Sequence, residues 1–95
     1  MKMAKVKRCE AGECSYNADN LCHTPAITVG DDAVHPMCDT FCMSSIKGGN
    51  GKIVAGIGAC KVSECMFNEA LECQSSEVRI GHQGNEVDCL TFKMR

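Results

Sequence analysis

The chain has 95 residues and a formal net charge of −2, with nine cysteines, three phenylalanines, one tyrosine and no tryptophan. Large aromatic side chains supply much of the apolar burial in ordinary cores, so this composition argues against a conventional core and favours a covalent or metal-held scaffold. The longest apolar-leaning run, residues 53–60, is far shorter than the roughly 20 residues needed to cross a bilayer, and the sequence therefore predicts no membrane span.

The first predicted element is a basic N-terminal arm, residues 1–8, with four positive charges and no acidic residue. We expect such a short charged arm to be solvated. No apolar segment of a secretory signal follows it, which predicts a cytoplasmic location. In that reducing compartment, densely spaced cysteines serve more often as metal ligands than as disulfides.

An internal repeat follows the arm. Shifting the sequence by 51 residues brings two cysteine quartets into register, each with the spacing C-x4-C-x7-C-x15-C. The phrase C-x-T-F, at residues 38–41 and 89–92, closes each copy. The repeat predicts two homologous modules, residues 9–42 and 60–95, joined by a flexible glycine-rich linker at 43–59. The quartets are Cys9, Cys14, Cys22 and Cys38 in the first module and Cys60, Cys65, Cys73 and Cys89 in the second.

Local patterns predict little regular structure in either module. The segments I-T-V and V-R-I, each followed by glycine, indicate short strands entering turns. The residues after each second cysteine indicate a turn or one short helical turn, and the run I-V-A-G-I at 53–57 is either linker or a strand leading into the second module. The predicted fold class is small, metal-stabilised and mostly irregular, with short β-hairpins in two tandem modules, because chains of about 40 residues or fewer usually need metals, disulfides or oligomerisation to fold.

The cysteine spacing predicts one zinc ion in each module, two per chain. Four thiolates satisfy tetrahedral zinc and leave no open coordination position, which is typical of a structural site. Metal binding would also supply folding free energy that a thin core lacks. Three alternatives compete with zinc: disulfides within each quartet, an iron–sulfur cluster, whose usual cysteine runs contain C-x2-C, and one polynuclear cluster shared by all nine cysteines.

Four further residues carry weaker signals. His23, His35 and His82 have no histidine at the matching position of the other module, so we expect exposed side chains, with a ligand swap at one site as the alternative. Cys42 stands outside both quartets. It is predicted to take no part in the main site and to be either a free thiol or an intermolecular link.

The charge distribution bears on partners and on catalysis. Residues 9–41 contain six acids and no Lys or Arg, and residues 60–92 contain six acids against two basic residues. Zinc modules that bind nucleic acid normally present a basic face to the phosphates, so nucleic acid is not favoured and a protein partner is expected. No nucleophile–base motif or paired carboxylate motif can be placed, which predicts a protein without enzymatic activity.

The phrase C-x4-C-x-[YF]-N-x4-C, followed by β-branched alternation, Gly and C-x-T-F, resembles the bacterial family known as domain of unknown function 1540. The resemblance covers residues 9–41 and 60–92. It implies four-cysteine modules, a suspected metal site and a bacterial, sporulation-related setting, and it implies no activity. The leading hypothesis is a tandem zinc-binding protein that acts in interaction or scaffolding. The alternatives are a zinc-buffering protein and a disulfide-linked structural component.

Overall fold

The protein was analysed as a computed structural model, which describes residues 3–95, with Asp31 described by its backbone alone. Strands and irregular segments make up the described chain, and residues 3–95 contain no helix. The strands are β1 (Lys5–Cys9), β2 (Asn17–Ala18), β3 (Leu21–Cys22), β4 (Ala26–Asp31), β5 (Pro36–Cys38), β6 (Gly56–Cys60), β7 (Asn68–Glu69), β8 (Glu72–Cys73), β9 (Glu77–Gln83) and β10 (Glu86–Cys89).

Six of the strands form one closed barrel in the order β1-β6-β4-β5-β10-β9, and β1 pairs with β9 to close it. The predicted strands at I-T-V and V-R-I lie in β4 and β9, and each forms an antiparallel hairpin with the next strand. The remaining four strands form two small hairpins outside the barrel, β2–β3 and β7–β8. The turns predicted after each second cysteine are therefore hairpin turns rather than helical turns.

The barrel exchanges strands between the two modules. Strand β1 pairs in parallel with β9 of the second module, and β6 pairs in parallel with β4 of the first. The two ladders have equivalent registers, with Val6 opposite Val78 and Ile57 opposite Ile27, and each is interrupted by a register shift at the equivalent step. The barrel sheet is thus shared between the modules: hairpins β4–β5 and β9–β10 are parts of it, and only β2–β3 and β7–β8 are sheets within one module.

An approximate twofold axis relates the modules. In the β1–β6 pair, Lys5 lies opposite Gly56, and in the β5–β10 pair, Met37 lies opposite Asp88. The members of each pair are 51 positions apart, so each residue faces its own equivalent from the other repeat. Such self-pairing of one surface is what a twofold interface between identical subunits shows, and here both halves belong to one chain.

The core follows from the period-two pattern of the strands, which sends alternate side chains to opposite faces of the barrel wall. Strand β9, for example, alternates exposed and buried residues until Gly81. Most of the buried branched side chains come in equivalent pairs from the two modules. Each is expected to contribute about 1.5–3 kcal/mol by burial. Three such pairs are Val6 and Ile57, Ile27 and Val78, and Val29 and Ile80, while the buried Val62 and Val87 have Ala11 and Pro36 as their equivalents.

The structure corrects the prediction of a solvated N-terminal arm over residues 1–8. Lys5–Cys9 form strand β1, and Val6 is fully buried in the barrel. Lys5, Lys7 and Arg8 are exposed, as a solvated charged segment predicts, but Val6 and Cys9 are buried and tie the segment to the barrel. Residues 1 and 2 of the predicted arm lie outside the described residues.

The segment 43–59, predicted as a flexible linker, is held against the first module. The Ser15 hydroxyl donates to the carbonyl oxygen of Ile46, and the amide of Asn50 donates to that of His23. Gly49 has a φ of 82°, and a Cβ there would lie 2.5 Å from the His23 carbonyl oxygen, so this close turn requires glycine. The end of the segment enters strand β6.

Candidate metal centres

Each cysteine quartet is gathered from separate elements of its module. In the first, Cys9 ends β1, Cys22 belongs to β3 and Cys38 ends β5. Cys14 lies in the turn before β2 and forms an isolated bridge with Met43. The second quartet occupies the equivalent positions on β6, β8 and β10, and its turn cysteine bridges the equivalent methionine.

All four cysteines of each quartet line one small cavity. The cavity of the first module has a volume of about 10 Å³, and that of the second has about 20 Å³. A volume of about 10–15 Å³ holds one water-sized body. Each quartet thus surrounds a space of about the size of one water molecule.

The cavity walls are shared between the modules. Ile80 and Val87, from the second module, line the first cavity, and the equivalent Val29 and Pro36 line the second. An aromatic pair from the same module completes each wall: Tyr16 with Phe41, and Phe67 with Phe92. Strands β9 and β10 of the second module therefore form part of the wall of the first cavity, and β4 and β5 of the first module form part of the wall of the second. The shared barrel thus couples the surroundings of the two quartets.

Backbone amides point at the sulfurs. Burial is the main cause that raises the pKa of Cys22 and of Cys38, and hydrogen bonds from the amides two residues later, those of Thr24 and Thr40, lower it in part. In the second module, Ser75 and Thr91 act in the same way on Cys73 and Cys89. The amide of Cys42 donates to Cys14 Sγ at 3.5 Å. Donors of this kind favour the thiolate over the thiol.

Burial opposes those donors. It is the main cause that raises the pKa of Cys38 to about 12 and that of Cys89 to about 11, and the neighbouring cysteines of each quartet contribute to the rise. A thiol whose pKa is raised in this way resists ionisation unless a cation is present to hold it as the thiolate. Within residues 3–95, no three His, Cys, Asp or Glu side chains already stand as a ligand set. The quartets match zinc in donor type, but their sulfurs do not stand as a ligand set and would have to close on the ion.

Equivalent hydrogen bonds in the two modules explain why Asn and Thr are also identical at two positions of the repeat. Asn17 Nδ2 donates to the carbonyl oxygen of Cys9 at 2.7 Å, and Asn68 does the same for Cys60 at 2.8 Å. Both asparagines are buried. The hydroxyl of Thr40 accepts from the amide of Thr28 at 3.2 Å, and the hydroxyl of Thr91 accepts from the amide of Arg79 at 2.9 Å. The threonine of C-x-T-F thus fixes the strand beside the fourth cysteine.

The three histidines lie outside the two cavities. His23 Nδ1 lies 2.7 Å from the carbonyl oxygen of Ile53, in the segment after the first module. His35 and His82 form exposed contacts with carboxylates from the other module, Glu86 and Glu13. The ninth cysteine, Cys42, is an exposed thiol, and its equivalent position in the second module is Lys93.

Sequence reasoning missed three residues near the quartets. Lys47 and Arg95 donate to backbone carbonyls of the loops that carry Cys14 and Cys65. Asp88, next to Cys89, is 2% exposed, and its Oδ1 has no hydrogen-bond partner among the described residues. The cations are not at equivalent positions of the repeat and so gave no signal. Asp88 did leave a sign in the sequence, because an acidic residue stands there where the first module has Met37.

The comparison with known families follows the same division of the chain. The family model described as Domain of Unknown Function (DUF1540) matches residues 8–44 and 59–92, once for each copy of the repeat. The chain belongs to the DUF1540 family. The expected membership is confirmed, and the tandem DUF1540 segments contain both quartets.

Two further comparisons yielded no relatives: neither a curated protein nor a solved structure matches the chain. In the part of the chain that the structure describes, no helix has the length and apolar character required to cross a membrane.

Proposed function

We propose that this DUF1540 protein is a non-enzymatic, tandem zinc-binding protein in which each quartet holds one structural zinc ion. The observation that carries the proposal is the convergence of each quartet on a cavity of single-ion size. The amide donors to sulfur support it, because they stabilise the thiolates that zinc requires. A bound ion would draw the four sulfurs to about 2.3 Å from it.

A closed four-thiolate site points to a structural role. All four positions of the ion are taken by protein sulfur, so no position is left for a substrate or a reactive water. The ion would instead tie the small outer hairpin to the barrel, since Cys22 or Cys73 lies in the hairpin and the other ligands lie in or beside barrel strands. We propose that the stabilised surface serves as an interaction scaffold for a protein partner.

Zinc content tests this proposal site by site. Protein purified without added metal should contain about two zinc ions per chain, one per closed quartet. Cys22→Ser and Cys73→Ser should each lose one ion, measured by native mass spectrometry. Cys42→Ser is the matched control and should keep both ions. Loss of an ion from Cys42→Ser, or retention of two ions by Cys22→Ser, would contradict the assignment of ligands.

The exchange of strands also predicts how these variants should unfold. Each cavity is walled by two residues of the opposite module, so loss of one ion should lower the melting temperature of the whole barrel. Independent unfolding of one module, seen as two separate transitions, would contradict that coupling.

Two alternatives give different results in the same preparations. A zinc-buffering protein would transfer its ions rapidly to a chelator, whereas a scaffold should release them slowly. A disulfide-linked component, such as part of a spore layer, would be metal-free and would show no titratable thiols in the quartets. The thiol count and the release rate together separate the three hypotheses.

A further inference from the structure

One basic side chain contacts the turn cysteine of each quartet from outside the cavity: Lys47 in the first module and Arg95 in the second. Lys47 Nζ lies 3.3 Å from the carbonyl oxygen of Cys14 and 3.0 Å from that of Asn17. Its third contact is the carbonyl oxygen of Gly12, at 3.4 Å. A single cation thus gathers three carbonyls of the loop that carries the second ligand of the first site.

Arg95 repeats this arrangement in the second module. Its guanidinium donates to the carbonyl oxygen of Cys65 at 3.0 Å and also to that of Asn68. These carbonyls are the equivalents of those of Cys14 and Asn17 under the shift of 51 residues. Lys47 and Arg95 themselves are not equivalent, because Lys47 lies four residues after Met43 and Arg95 lies one residue after Met94. Side chains from two non-equivalent positions thus place a positive charge at the equivalent pair of carbonyls in each module.

The charges of the two cations are not otherwise used. In the described part of the chain, Lys47 and Arg95 form no ion pair with a carboxylate, and unlike the other unpaired lysines, Lys5, Lys52 and Lys93, they donate to carbonyls of a cysteine-bearing loop. A zinc ion with four thiolates carries a net charge of −2. Each cation is bonded to the backbone of a cysteine ligand, in a chain whose modules are otherwise acidic.

We propose that Lys47 and Arg95 are positioning residues for the two zinc sites, each holding the turn cysteine in place and offsetting the negative charge of its own metal–thiolate centre. The inference rests on the proposed function. Groups that support metal ligands in this way typically change affinity by 10–100-fold when removed. Each cation therefore acts mainly on the zinc affinity and release rate of its own site, and the other site changes much less, through the shared barrel.

The test uses the zinc-loaded full chain and a chelator that withdraws zinc. The backbone amides of Thr40 and Thr91, which donate to Cys38 and Cys89, report the two sites separately by NMR. Lys47→Met should release zinc from the first site about 10-fold faster and change release from the second site much less, and Arg95→Met should do the reverse. Lys52→Met and Lys93→Met are matched controls from the same two segments and should behave like the parent.

Two further variants separate charge from hydrogen bonding and keep the test decisive if Lys47→Met does not fold. Lys47→Arg should restore slow release, whereas Lys47→Gln, which can still donate to the carbonyls, should not. Parent-like release from Lys47→Gln would overturn the role of the charge, and equal acceleration of release from both sites of Lys47→Met would overturn its assignment to the first site. If the parent binds no zinc, the proposed function fails first and this inference falls with it. If the parent binds two ions and the variants match it, this inference alone fails.

Discussion

Asp88 is a buried carboxylate whose ionisation opposes folding. Burial, followed by hydrogen bonding to Glu86 and that residue's charge, raises the pKa of Asp88 to about 6, and His35 lowers it in part. The folded-state pKa thus lies above the ordinary value of 3.8. The stability that the protonated group contributes is fully present below about pH 4 and is lost as the pH rises through about 6.

Asp88→Asn should therefore stabilise the protein at neutral pH. The amide stays neutral, so the variant should exceed the parent by about 1–2 kcal/mol at pH 7 after allowance for solvent screening, and by much less at pH 4. Thermal unfolding of the zinc-loaded parent and variant between pH 4 and pH 7 measures the difference in stability. The pH dependence of metal binding is the same in both proteins and cancels from that difference. Met37→Leu, at the equivalent position, is the control. An advantage that does not change with pH would show that Asp88 is not the titrating group.

The same environment acts on His35. Glu86, hydrogen-bonded to the ring at 2.9 Å, is the main cause that raises the pKa of this exposed histidine, and the charge of Glu86 adds to the effect. Any stability from the charged ring is therefore present below about pH 6.5 and lost as the pH rises through the raised pKa. Since this histidine and Asp88 share Glu86, the pH profile of Asp88→Asn includes a smaller contribution from His35.

At the scale of elements, the two outer hairpins have the same turn and different sequences. Asp19 and Asn20 both have positive φ, 55° and 64°, and so do Ala70 and Leu71, at 52° and 67°. Two-residue turns of this kind favour Asn, Asp and Gly at the centre, because other side chains are strained there. The first hairpin has suitable residues, and the second retains the conformation with unsuitable ones.

The double variant Ala70→Asp/Leu71→Asn should stabilise the protein by about 1–2 kcal/mol. The substitutions transfer the turn of the first hairpin to the second, and Leu71 is 54% exposed, so little apolar burial is lost. Chemical denaturation of the zinc-loaded protein measures the gain. The reciprocal change, Asp19→Ala/Asn20→Leu, should destabilise by a similar amount. A neutral result in both directions would mean that the hairpin turns contribute nothing to global stability.

At the scale of the whole molecule, the approximate twofold axis makes each module the partner of the other. Like residues would meet across the axis in a homodimer of either module: Asp88 would face Asp88, and Lys5 would face Lys5. In the natural barrel these residues face Met37 and Gly56 instead. The differences between the repeats thus favour pairing of the first module with the second, because like charges would meet in a homodimer of either module.

Separated fragments test this pairing. We expect the zinc-loaded fragments 1–51 and 52–95 to form a one-to-one complex when mixed, and each to assemble poorly alone at pH 7. Asp88→Met in the second fragment should promote its homodimer by removing the buried carboxylates. Analytical ultracentrifugation gives the stoichiometry. Two stably folded monomeric fragments would contradict the shared barrel.

The sequence contained the quartets, the strands β4 and β9 and the equivalence of the two modules, because a shift of 51 residues reveals them directly. It did not contain the exchange of β1 and β6. A period-two pattern shows that Val6 and Ile57 face a core, and it does not show which module supplies the neighbouring strand. Lys47 and Arg95 could not be found either, since their equivalence lies in the carbonyls that they contact and not in their own positions.

The central claim is that each quartet closes around one zinc ion with four sulfur ligands. X-ray absorption at the zinc edge of the purified protein measures that ligand set directly. We expect two zinc ions per chain and a single shell of four sulfurs at about 2.3 Å. A shell containing nitrogen or oxygen ligands, or a protein that contains no zinc and has its quartets closed as disulfides, would contradict the account.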